Sequence, residues 1–118
     1  MNNFQQTIKK EGSISGHGLH TGKSVNLTLK PAPTGHGIKF KRLDLENTPS
    51  IDANCDYVVS SERSTTIEKS GIKVVTIEHL LSALAGMQID NILIEMDAEE
   101  VPILDGSSRP FVELLRSC

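Results

Sequence analysis

Along residues 24–30 polar and apolar side chains alternate, Ser24, Asn26, Thr28 and Lys30 against Val25, Leu27 and Leu29, which is the period of a half-buried strand. Pro31 and Pro33 end it. Upstream, residues 7–15 predict another strand, joined to the first through residues 16–22, where three glycines permit a tight and left-handed backbone. Residues 37–43 alternate imperfectly, Ile38, Phe40 and Leu43 against Lys39, Lys41 and Arg42, and this basic cluster reads as a solvated strand face. Two β-prone runs, residues 65–67 and 72–75, flank Lys69-Ser70-Gly71 and predict a hairpin. The period then changes. Ile77, Leu80, Leu81 and Leu84 recur at helical spacing, from an N-cap at Thr76 to a stop near Gly86. After Asp90-Asn91 residues 92–96 form a strand. A polar link through Glu99-Glu100 and an Asp105-Gly106 turn lead to a last helix, with Ser107 or Ser108 as its cap, Pro110 in its first turn and Phe111, Leu114 and Leu115 as its buried stripe. With no repeat, linker or low-complexity tract, residues 1–118 read as one α+β domain.

Composition narrows the partners. Aromatics are scarce, three Phe, one Tyr and no Trp, so the core must be aliphatic. A net charge of -3 with scattered positive residues lacks the basic footprint that a phosphate backbone requires, and nucleic acid is excluded as a partner. Cys55 and Cys118 match neither a disulfide framework nor a thiolate zinc site and read as reduced thiols. No apolar run is long enough to span a bilayer and the polar opening residues lack a signal peptide's apolar stretch, so a cytoplasmic location is expected.

Around the helix of residues 77–87, Ile77, Leu80, Leu81 and Leu84 fall on one side and His79, Ser82, Ala83 and Gly86 on the other. Beyond Glu78 this helix carries no charged residue, so it is expected to be covered on both sides, with a small-residue strip that lets another helix approach. The covering element is either the last helix of this domain or a partner domain, and the pattern does not choose. The chain's final residues stop within a helical pattern without a Gly or Pro terminator, as expected of a piece of a longer chain.

Glu78 and His79 open this helix, where the macrodipole favours a carboxylate and disfavours an imidazolium. Both states suit metal chemistry: a zinc ligand is a neutral imidazole, and a carboxylate beside a metal-bound water can take its proton. A lone Glu-His pair is equally the mark of a helix-start carboxylate beside a surface histidine. His17 and His36, in turns, read as exposed histidines. His20, in the glycine-rich connection, stays open, because nothing in the sequence requires it to converge with His79 and a carboxylate.

Taken in order, Ser15-Gly16-His17-Gly18-Leu19-His20-Thr21-Gly22, Lys30-Pro31-Ala32-Pro33, Thr76-Ile77-Glu78-His79-Leu80-Leu81-Ser82-Ala83-Leu84-Ala85-Gly86, Ile89-Asp90-Asn91 and Glu100-Val101-Pro102-Ile103-Leu104-Asp105-Gly106-Ser107 resemble the UDP-3-O-acyl-N-acetylglucosamine deacetylases. The resemblance runs from about Thr7 to the end and covers only the N-terminal half of that enzyme. It implies a cytoplasmic zinc amidase that removes acetate from a UDP-linked acylated glucosamine in lipid A synthesis. It also implies two layers in each half, a small, mixed, mostly antiparallel sheet backed by two helices, with the active site between the halves. By position, His79 is one of three zinc ligands, Glu78 is the general base acting on the zinc-bound water, and His20 lies close to the active site.

The family's other zinc ligands, its general-acid histidine and the acyl-chain passage belong to the second half, which this sequence lacks. The resemblance therefore implies a parent deacetylase and a fragment inactive alone, with weak zinc binding or none. The missing C-terminal domain is the expected partner, and self-association through an uncovered helical layer is the expected alternative. A rival reading is a non-catalytic interaction domain, with no dependence on Glu78 or His79. Asp90-Asn91 and residues 100–107 are read as turns and caps.

Overall fold

The alternation in residues 24–30 gives the strand it implies. The computed structural model describes residues 4–59 and 64–118. Among these, the strands are β1 (Gly12–His17), β2 (Ser24–Pro31), β3 (Ile38–Arg42), β4 (Ser50–Asp52), β5 (Val58–Val59), β6 (Thr66–Lys69), β7 (Ile72–Val75) and β8 (Ile92–Met96). The helices are α1 (Glu78–Gly86) and α2 (Arg109–Ser117), and one 3-10 turn spans Cys55–Tyr57. The expected α+β class holds, with one addition: the strands divide between two sheets. A five-stranded sheet runs β1-β2-β8-β3-β4 and a three-stranded one β5-β6-β7. Among the described residues every pairing between these strands is antiparallel except β3 with β8, and an isolated parallel bridge joins Val75 to Glu100.

One face of the larger sheet supplies Val25, Leu27, Leu29, Phe40, Ile51, Ile92, Ile94 and Met96, all buried. They join Leu80, Ala83 and Leu84 of α1 and Phe111 and Leu115 of α2 in a single core. Each large apolar side chain fully buried there contributes about 1.5–3 kcal/mol before the entropy of ordering it is subtracted. Polar pairs such as Ser13–Thr28, Ser15–Asn26 and Lys30–Glu95 join the strands through side chains of the other parity, the two-faced pattern of a sheet solvated on one side.

The first strand begins later than its composition suggests. Residues 7–11 do not pair with β2; instead Lys9 and Lys10 donate backbone N–H groups to the Cys118 carbonyl, and Thr7 Oγ1 accepts from Ala32 N. Strand pairing starts at Gly12 and runs through Gly16 and His17, which face Val25 and Ser24. Glycine suits position 16 of this strand because a Cβ there would stand 3.0 Å from both Leu104 and Pro102.

The predicted hairpin is β6–β7, closed by Ser70 and Gly71 at φ 55 and 81, the left-handed pair that a two-residue turn between twisted strands requires. The basic face expected in residues 39–42 needs correction. Arg42 is buried at 5% exposure. Its Nε and Nη2 hold both Asp44 carboxylate oxygens at 2.8 and 2.7 Å, and Nη1 donates to the Lys73 carbonyl at 2.7 Å. That guanidinium ties β3 of one sheet to β7 of the other, and its hydrogen bonds, opposed by burial, hold the Asp44 carboxyl below its ordinary pKa.

The capping expectations also shift. Thr76 is not the N-cap of α1; Ile77 occupies that place without a side-chain cap, while Thr76 stands at φ 62 with its hydroxyl directed to Glu100. Before α2, Ser108 holds the N-cap place, but it is Ser107 Oγ that accepts from Arg109 N, and Pro110 lies in the first turn as expected. The second covered face of α1 is only partly formed. The last helix packs against α1 and Ala83 is buried, His79 is half-buried, and Ser82, Ala85 and Gly86 remain exposed.

Candidate functional site

Glu78 and His79 form the first turn of α1, both half-buried. The helix is aimed by what precedes it: β7 ends at Val75, Thr76 turns the chain at positive φ, and Ile77 N donates to the Thr65 carbonyl at 3.2 Å. Residue 65 is bound twice. Its N–H donates to Glu78 Oε2 at 2.7 Å, so a backbone donor orients the carboxylate.

His20 lies in the turn between β1 and β2, exposed, with the turn closed by Gly18 N to Lys23 O and Gly22 N to Gly18 O, each 3.0 Å. Its backbone is fixed from an unexpected direction. Glu100 Oε1 accepts from His20 N and Thr21 N, both at 2.9 Å, and Oε2 accepts from His20 N at 3.2 Å and from the Thr76 hydroxyl. One carboxylate therefore joins the turn that carries His20 to the residue two positions before Glu78. Glu100 is only 1% exposed. Burial pushes its pKa up, but the hydrogen bonds from Thr76, Thr21 and His20 outweigh it and hold the carboxyl below its ordinary value.

The other histidines stand apart from this arrangement. His17 is exposed near Ser24, 3.5 Å from its hydroxyl, and the His36 ring sits 2.9 Å from the Gly37 carbonyl. Cys55 and Cys118 are free.

Residues 5–118 match the family model described as UDP-3-O-acyl N-acetylglycosamine deacetylase. The chain belongs to that family. It is 52% identical to a UDP-3-O-acyl-N-acetylglucosamine deacetylase of Myxococcus xanthus over 113 residues, 96% of this chain and 36% of the relative. Likenesses of 51% to the enzyme of Geotalea uraniireducens and 49% to that of Chromohalobacter salexigens cover 97% and 96% of this chain and 37% of each relative. The chain thus spans little more than a third of the length of these relatives.

The resemblance to these deacetylases implies zinc. Among the described residues no group of three or more His, Cys, Asp or Glu side chains could hold a metal ion, whereas catalytic zinc takes about three protein ligands and water. Among the described residues His20, His79 and a carboxylate do not form such a set, and Glu100 engages the backbone N–H of His20.

The turn-and-cap reading of residues 100–107 does not foresee that Glu100 bonds His20, Thr21 and Thr76. A signal was present. Ile92, Ile94, Met96, Ala98 and Glu100 share one parity, all are buried, and a carboxylate on the inward parity of an apolar run must find donors inside.

Proposed function

We propose that this chain is the N-terminal part of a zinc-dependent amidohydrolase that removes acetate from UDP-3-O-(3-hydroxyacyl)-N-acetylglucosamine, a step of lipid A biosynthesis in the cytoplasm. The reading rests on the family match over residues 5–118, to which the Glu78–His79 pair at the start of α1 adds the chemistry. Residues 1–118 form the N-terminal domain in this reading, and a second domain outside this chain brings the remaining ligands. His79 supplies one imidazole to zinc. Zinc would polarise the acetamide carbonyl of the substrate. Glu78 acts as general base, taking a proton from the water that attacks that carbonyl, and its bond from Thr65 N keeps the carboxylate oriented for the transfer.

The chain alone is inactive under this proposal, since a single imidazole holds zinc only weakly. The exposed strip of Ser82, Ala85 and Gly86 suits a close-packed neighbour such as the missing domain. Among the described residues no helix is long and apolar enough to cross a membrane.

The deciding experiment measures zinc content and acetate release for this chain, for the remaining part, and for their mixture, with Glu78→Ala and His79→Ala as controls. Zinc and turnover should appear only in the mixture; Glu78→Ala should abolish turnover with metal retained, and His79→Ala should lose the metal. Stoichiometric zinc or activity in this chain alone would overturn the half-site reading. Full turnover by the mixture carrying either variant would favour a non-catalytic interaction domain.

A further inference from the structure

Glu100 lies outside every catalytic role described above, yet its placement is costly. The residue is 1% exposed, and its carboxylate forms no ion pair among the described residues. Buried charges ordinarily meet a countercharge or a metal. Here the compensation is four hydrogen bonds from two distant stretches of chain, His20 and Thr21 on one side and Thr76 on the other.

Two independent features surround it. Thr76 is β-branched at φ 62, a conformation that persists only where neighbours over-determine it. They do so here: Val75 N bonds to Glu99 O, Val101 N to Val75 O and Ile77 N to Thr65 O, while the Thr76 hydroxyl is held by Glu100. On the other side, a Cβ on Gly18 would overlap Glu100 Oε1 and stand 2.6 Å from Thr21 Oγ1. The turn thus leaves room for this carboxylate by omitting a side chain.

We propose that Glu100 is a positioning residue for the deacetylation, clamping the His20 turn to the strained Thr76 corner that sets where Glu78 and His79 stand. The inference rests on the roles proposed above for Glu78 and His79. Packing alone would be met by an apolar residue at position 100. A carboxylate accepts bonds from both segments at once and fixes their separation.

The experiment uses the intact deacetylase with zinc bound and compares Glu100→Gln, Thr76→Val, Thr76→Ser and the Glu100→Gln/Thr76→Val double variant, reading kcat, KM, zinc content and circular dichroism. Glu100→Gln should lower kcat about 10- to 100-fold, the scale of an ångström-level misplacement, with KM and zinc nearly unchanged. Thr76→Val should act in the same direction and Thr76→Ser, which keeps the hydroxyl, should recover most of the loss. The double variant should be no worse than the poorer single one, since both break one clamp. Turnover within about threefold of wild type in Glu100→Gln would overturn the proposal. If that variant fails to fold, wild-type turnover in Thr76→Val overturns it instead. Glu78→Ala run alongside separates the two readings: an active Glu78→Ala sinks the site assignment itself, while an inactive one beside a fully active Glu100→Gln sinks only the clamp.

Discussion

Replacing Arg42 by Met keeps most of the buried stem and deletes every hydrogen bond at its tip. Among the described residues three are lost, two to Asp44 and one to the Lys73 carbonyl. The Asp44 side chain is 31% exposed and can turn to water, so its share is discounted to about 1 kcal/mol or less. The Lys73 carbonyl loses a charged donor between the sheets, a loss of about 1.5–3 kcal/mol. The sum is about 2–4 kcal/mol. Asp44→Asn, which leaves the bond to Lys73 in place, should cost only about 0.5–1 kcal/mol. Arg42→Lys should resemble Arg42→Met, because one ammonium cannot serve both the carboxylate fork and the carbonyl. Urea unfolding followed by circular dichroism reads these differences. For a slope near 1.5 kcal/mol/M, a loss of about 3 kcal/mol lowers the midpoint by about 2 M. A midpoint for Arg42→Met within about 0.3 M of wild type, or an Asp44→Asn as damaging as Arg42→Met, would refute the claim that this guanidinium braces the two sheets.

Acid should erase the contribution of Glu100 in a defined window. Its folded pKa lies below the ordinary 4.5, so the stabilisation is complete above that value and is lost as pH falls through the lowered folded pKa. Asp44 and Asp105 are lowered as well, so the check is the difference in unfolding free energy between wild type and Glu100→Gln. That difference should be constant above about pH 5.5 and should shrink steadily below 4.5; a pH-independent difference would contradict it. Leu84, fully buried on α1, should cost about 2–5 kcal/mol when cut to Ala, measured by the same urea unfolding. A loss below about 1 kcal/mol would mean that α1 is not seated on the sheet as described.

Local signals carried much of this structure. The alternation of Val25, Leu27 and Leu29, the Ser70-Gly71 turn and the helical spacing of Ile77, Leu80 and Leu84 each act within a few residues, so one stretch of sequence contains both partners of the interaction. What escaped was set by partners far along the chain. Charge groups Arg42 with Lys39 and Lys41, but its parity places it with Phe40, and its acceptor Lys73 lies 31 positions away. Glu100 meets His20 across 80 positions and Thr76 across 24. Thr before a helix usually caps it by accepting a backbone N–H; here the Thr76 hydroxyl instead donates to Glu100. For the candidate site, the Glu78–His79 pair was visible as a motif, but its tether to the His20 turn needed the fold.

The strand order has a consequence for how the molecule is assembled during synthesis. The larger sheet consists of two hairpins, β1–β2 and β3–β4, which meet only through β8, inserted between β2 and β3. β8 is translated after both of them. Until residue 96 has left the ribosome, the inner margins of β2 and β3 have open backbone donors and acceptors beside Leu27, Leu29 and Phe40, a template on which a second nascent chain can pair. A pause in translation before residue 92 would prolong that interval, and slower synthesis of this stretch would favour aggregation over folding.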